Sequence, residues 1–348
     1  MFRITILSAA LFIAGAAQAA DFPIRASLAA NARTQGVGRA DLPLLRVNTG
    51  AGADRRVDAL MRKFQYSGEA VTTFGDAKVQ VDKVKTMATW ADGRRLVAFG
   101  DGSKVSFRNP EELNNAAPAS ERLPNEKLEA VGRAFIQEQL SDFIKLGPGE
   151  QLVPFSTRVQ VGGGNDVNST ERPLEQVLAN AIVFTRTVDG VPVIGGGSKV
   201  ALIVTNDGKV AGFDFDWAEY QPTGKRVKML GAAQIDQRVK TMASVKLDSP
   251  EVSVKRYECG LFDPGLRRRD PQAAVQGACV IQSVEARIAD PVANKLNPAD
   301  GHVKNATVDV IPTGETVEAD SHWPQAMALG GGNGRGQRVT PAGPGPRP

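Results

Sequence analysis

Short apolar, β-branched runs separated by glycine-bearing turns dominate the middle of the chain. The runs 182–184, 191–194, 200–205 and 210–215 are punctuated by Asp189-Gly190, Gly195-Gly196-Gly197 and Asn206-Asp207-Gly208. Gly, Asn and Asp tolerate the positive φ that tight hairpins require, so the stretch 181–220 predicts an antiparallel meander. After Gly212, Phe213, Phe215 and Trp217 alternate with Asp214 and Asp216, which puts aromatics on one sheet face and carboxylates on the other.

Helical spacing precedes strand spacing three times. Val57, Leu60, Met61 and Phe64 fall at i, i+3, i+4 and i+7, ahead of strand-like runs at 78–84, 86–90, 96–99 and 104–107. Asn125 opens a second helix whose Leu128, Val131, Phe135 and Ile136 share a face and which stops before Gly147-Pro148-Gly149; a strand at 155–161 follows. Ile235, Val239 and Met242 mark a third helix over 232–243, followed by apolar runs at 252–262, 277–288 and 305–311. One amphipathic helix covering the apolar face of each short antiparallel sheet predicts an α+β fold of two or three tandem helix-plus-meander rolls.

The divisions that follow are a leader at 1–20, an extended lead-in at 21–50, a first helix-plus-sheet unit at 51–110, a central unit at 123–222, and a third unit at 228–318. A Pro/Asn/Ala linker fills 109–124. The Gly/Pro-rich tail 324–348 holds too little apolar area to order itself and is expected to be disordered.

The leader carries one cation, Arg3, an apolar run at 4–16, and Ala17-Gln18-Ala19. That is the grammar of a cleavable signal peptide, cut near Ala19 or Ala20, and predicts a secreted or periplasmic protein without stable membrane insertion. Cleavage lowers the formal charge from +4 to +3, with both signs interspersed along the chain, which argues against nucleic acid as a partner. Arg267-Arg268-Arg269, between Pro264-Gly265 and Pro271, reads as a solvated loop tip. The two cysteines, Cys259 and Cys279, lie in neighbouring strand-like runs and are expected to form a disulfide in an exported chain.

Catalytic grammar is sparse. His302 and His322 have no ligand-spaced partners, Gly196-Gly197-Ser198-Lys199-Val200 breaks the nucleophile-elbow pattern, and no phosphate loop occurs. No cofactor or metal is expected. Asp214 and Asp216 are the one carboxylate pair that alternation places together; a solvated strand face, an ion site and a hydrolase pair all remain open for them.

The order of a helix, a connecting strand, Phe184, Arg186, Gly190, Val191, Pro192 and Val193 in F-x-R-x-x-x-G-V-P-V, a small-residue turn, and Asp207-Gly208-Lys209-Val210 resembles the PepSY and fungalysin/thermolysin-propeptide modules over roughly 123–220. The resemblance implies a cystatin-like roll and a role as inhibitor or folding assistant of a secreted peptidase. No zinc-binding H-E-x-x-H follows in this chain, so such a role would be exerted in trans. The expected function is therefore non-catalytic binding of an exported protein partner through an open sheet edge or the glycine-rich hairpins. The expected contact set is Arg186, Asp189, Gly190, Val191, Val193, Gly195, Gly196 and Gly197. A structural or sensory envelope component, and a hydrolase using Asp214 and Asp216, are the alternatives.

Overall fold

The computed structural model describes residues 40–48, 59–60, 77–82, 84–99, 102–162, 175–249, 252–266, 269, 274–288, 302–315 and 327–329. The expected leader and most of the first helix lie outside them; residues 59 and 60 are helical, and Leu60 is fully buried.

The chain is mostly β-structure, which overturns the expected tandem α+β rolls. Among the described residues thirteen strands join in one mixed sheet. The first unit contributes β2 (Lys78–Val81), β3 (Lys85–Thr89), β4 (Arg95–Phe99) and β5 (Lys104–Arg108). The central unit contributes β6 (Glu150–Gly162), β7 (Gln176–Val188), β8 (Val191–Gly195), β9 (Lys199–Val204) and β10 (Val210–Asp216). The last strands are β12 (Val252–Asp263), β13 (Gln276–Ile288), β14 (His302–Pro312) and β15 (Met327–Leu329). Their order is β15-β14-β13-β12-β8-β7-β9-β10-β5-β4-β3-β2, with β6 along the other side of β7. β1 (Asp41–Asn48) and β11 (Glu219–Lys228) form a separate antiparallel ribbon.

The physical reason for the correction is edge pairing. A roll closed by its own helix leaves outer strands with unmet N–H and C=O groups. Here β10 takes β5 as an antiparallel neighbour, with Phe213 opposite Phe107. β8 takes β12 as a parallel one, with Leu261 opposite Val193 and Asp263 opposite Gly195. The meanders thereby fuse.

The helices are short covers. α1 (Pro110–Asn115) forms where a linker was expected, its start fixed by the Asn109 side chain accepting from the Glu112 N–H. α2 (Asn125–Gln139) is the expected second helix, with Leu128, Gly132 and Ile136 buried. Pro124, rather than Asn125, occupies its N-cap. At Gly132 a Cβ would stand 2.6 Å from the Phe184 ring, so the glycine lets the helix lie close on β7. α3 (Ala232–Met242) buries Ile235 and Val239 as expected, while Met242 is half exposed.

The largest core gathers Phe213, Phe215, Trp217, Phe184 and Leu202 with Leu128 and Ile136 of α2. A second holds α3 against β12, β13 and β14 around the Cys259–Cys279 disulfide, whose residues sit directly opposite each other in register. The lead-in is not merely extended, since β1 buries Leu42, Leu44, Leu45 and Val47. Within the expected disordered tail, Met327–Leu329 pairs with β14; the rest lies outside the described residues. No helix among the described residues is long and apolar enough to cross a membrane.

Candidate functional site

The residues singled out in the central hairpins do not form one exposed surface: Arg186, Val191, Val193 and Gly197 are buried, whereas Asp189, Gly190 and Gly196 are exposed. Asp189 and Gly190 have φ of 50° and 77° and form the two-residue turn between β7 and β8 that the sequence predicts. Val191 and Val193 are buried, and β8 is no open edge, because β7 pairs with its start and β12 with its end. Gly195, Gly196 and Gly197 lie against Asp263, Pro264 and Gly265, the segment that leaves β12. Their small size is used for this close approach, with the Gly197 N–H donating to the Asp263 carbonyl at 3.0 Å.

Arg186 is wholly buried. Its Nη1 donates to Glu150 Oε1 at 3.2 Å and its Nη2 to the Ala218 carbonyl at 2.7 Å. Its guanidinium lies 3.9 Å from the Trp217 ring centroid and 4.3 Å from that of Tyr220. Burial lowers its pKa, opposed by its interactions with Tyr220 and Glu150. The stacking and the ion pair hold the cation in place.

Beside it runs a chain of polar groups that the sequence does not reveal. Ser198 Oγ and the Tyr220 hydroxyl are 2.7 Å apart, and Tyr220 donates to Asp263 Oδ2 at 2.6 Å. Arg269 Nη2 lies 3.0 Å from Asp263 and from Asp216 Oδ1, and the Leu266 N–H donates to Asp216 Oδ2 at 3.0 Å. Arg269 is therefore buried between two carboxylates, not at a solvated loop tip as its Arg-rich run suggests. Burial lowers its pKa, but Asp263 and Asp216 outweigh that and raise it. Burial raises the Asp216 carboxyl against the pull of Arg269, and burial with the Asp263 charge keeps Tyr220 a neutral phenol. Every member is tied to another, and the network's chemistry is that of a clamp joining the turn before β9, the end of β10, β11, and the end of β12 with the segment that follows it.

The carboxylate pair is split in its environment. Asp216 faces Arg269, whereas half-exposed Asp214 is paired with Arg108 at 2.5 Å. Among the described residues no group of three or more His, Cys, Asp or Glu could hold a metal ion.

The accessible feature of the central sheet is β6. It pairs with β7 on one side along its whole length, and among the described residues no strand pairs with its other side. No residue of it is fully buried, and Phe155, Val159 and Val161 are 42%, 41% and 51% exposed. The register shifts between Pro154 and Ser156, leaving Phe155 as an unpaired bulge residue. At the strand's start, α2 and the segment 140–146 leave a groove of about 620 Å³ whose walls include Ile136, Ile144, Leu146, Leu152 and Val153. Arg133 of α2 closes part of the edge there by donating to the Leu152 carbonyl at 3.1 Å. The run 155–161 reads as a strand in the sequence; what the sequence hides is that no described strand pairs with its second side.

No protein-family model matches the chain, and no curated protein matches it. Among solved structures it is similar to an uncharacterized protein from Eubacterium rectale, at 11% identity over 80% of this chain and 85% of that one, with a TM-score of 0.48.

Proposed function

We propose that this is an exported, non-catalytic binding protein that takes up an extended polypeptide segment as an added strand along β6. The observation that carries the reading is the side of that thirteen-residue strand with which no described strand pairs, together with three half-exposed large apolar side chains. Natural sheets blunt such edges with charge, proline, bulges or short length. β6 carries Pro154, the Phe155 bulge and Arg158, yet it keeps its length and its half-exposed Phe155, Val159 and Val161. A long edge with apolar side chains is a surface for strand addition. Export is supported by the leader grammar at 1–20 and by a disulfide, which forms in oxidising compartments. The binding role is favoured over hydrolysis because Asp214 and Asp216 are each engaged by an arginine and point into different surroundings.

The resemblance of 123–220 to peptidase propeptide modules makes an exported peptidase the first partner class to try. The test is retention of proteins from the producing cell's envelope and culture fluid by the mature chain and by a Val159→Lys, Val161→Lys variant. A protein held by the first and lost by the second is the expected result. Equal retention by both, with the variant folded, removes β6 as the site.

A further inference from the structure

The two faces of β6 differ, and the difference specifies the incoming strand. Pairing partners across a sheet share a face. Val153 lies opposite Thr185, which lies opposite Lys199, and Arg158 lies opposite Ala181 in the same alternation. Thr157, of the other alternation, reaches Asn125 at the start of α2. Arg158 and Lys199 are thus on the sheet face turned away from α2. There Lys199 Nζ stands 5.1 Å from the Phe155 ring centroid, and the Arg256 guanidinium of β12 stands 5.8 Å from it.

Two cations thus flank the half-exposed Phe155 ring, and Arg158 lies on the same sheet face close enough to act on Lys199. The carboxylate near this corner, Glu258, is already engaged by Arg256. No described carboxylate is within ion-pairing distance of Lys199, whose ammonium donates to the Gly195 carbonyl. Burial, and next the charge of Arg256, push Lys199 down to about 8; Glu258 and Asp263 oppose the shift and Arg158 adds to it. The Arg256 Nε is buried with no hydrogen-bond acceptor. Three cations near one another with Glu258 paired to only one of them leave an excess of positive charge, and an arriving carboxylate offsets it.

Resting on the β6 reading, we infer that the segment added to β6 is acidic on the face turned away from α2, with an Asp or Glu side chain directed at the Arg158, Lys199 and Arg256 corner. A strand laid on β6 puts its own side chains about 5 Å from those of β6 on that face. An acidic side chain beside Arg158 is then within reach of the corner, and its stem lies along Phe155.

The experiment is selection of a phage-displayed random nonapeptide library on the full mature chain at low salt, followed by affinity measurement on the enriched peptides. The expected outcome is Asp or Glu at alternate positions, binding abolished by Val159→Lys, and affinity about tenfold weaker after Glu→Gln in the peptide or Arg158→Met with Lys199→Met in the protein. The affinity should also fall with added salt. Peptides that need Val159 but show no acidic preference, or that ignore the Arg158→Met, Lys199→Met change, overturn the charge inference and leave the β6 site standing. Peptides that bind Val159→Lys as well as wild type, or no enrichment, overturn both.

Discussion

Gly197 lies so close against the Asp263 carboxyl group that no Cβ fits between them. That carboxyl group is itself immobilised, since it accepts from Tyr220, Arg269 and the Gly265 N–H. Neither side can yield easily. The glycine run 195–197 therefore acts as a fitted surface between β8 and the segment leaving β12, within one chain.

Gly197→Ala should accordingly destabilise the protein by about 2–3 kcal/mol, as overpacking of a tight site does. Gly224→Ala is the contrast. Gly224 has φ of 75° but nothing within 4 Å of the added atom, so only its backbone conformation opposes alanine, at about 1 kcal/mol. Urea midpoints of the two variants check the ranking; equal losses would refute the close-contact account.

Asp263→Ala should cost more, about 3–5 kcal/mol, because it leaves buried Arg269 short of one of its two carboxylates and Tyr220 without its acceptor. Asp263→Asn keeps one acceptor oxygen and should lose less. Denaturant unfolding of both variants at neutral pH gives the comparison. A smaller loss for alanine than for asparagine would show that the network does not hold the segment.

The local grammar of this fold is legible in the sequence and its long-range joins are not. Asp189-Gly190 announces its turn because only a few residue types accept positive φ in succession, and the turn forms there. The β8–β12 pairing leaves no such mark, since Val193 and Leu261 are each apolar for local reasons and their register depends on how two sheets meet. Arg269 is the sharpest case. Its sequence neighbours make it look solvated, but the carboxylates that bury it come from strand ends, one of them 53 residues away. β1 escaped as a strand for another reason: a register shift between Pro43 and Leu45 puts Leu44 and Leu45 both inside and breaks the alternation. Of the candidate site, the strand at 155–161 could be read; that no described strand pairs with its second side could not, because edge status is a property of the whole sheet.

The disulfide joins strands that already pair, so its removal should leave the fold intact while lowering stability. For the 20-residue separation between Cys259 and Cys279, the chain-entropy account gives about 3 kcal/mol. A Cys259→Ala, Cys279→Ala protein should unfold at correspondingly lower urea with an unchanged circular dichroism spectrum. A loss of strand signal before any denaturant is added would mean that the bond is needed for β12 and β13 to pair at all.

Lys199 sets a pH dependence whose sign can be worked out. Burial, then Arg256, lower its pKa from 10.5 to about 8 in the folded protein. Between those values the unfolded chain holds a proton that the folded chain has released. The unfolded state binds more protons, so this residue makes stability rise with pH from about 8 towards 10.5, and below 8 its contribution is flat. Subtracting the curve of a variant that lacks this ammonium removes whatever the two proteins share. The difference in unfolding free energy between wild type and Lys199→Met should be constant up to pH 8 and then move in favour of wild type as pH approaches 10. Parallel curves across that range would show that the Lys199 ammonium is not crowded by Arg256 and Arg158. They would also take away the electrostatic reason for expecting an acidic strand on β6.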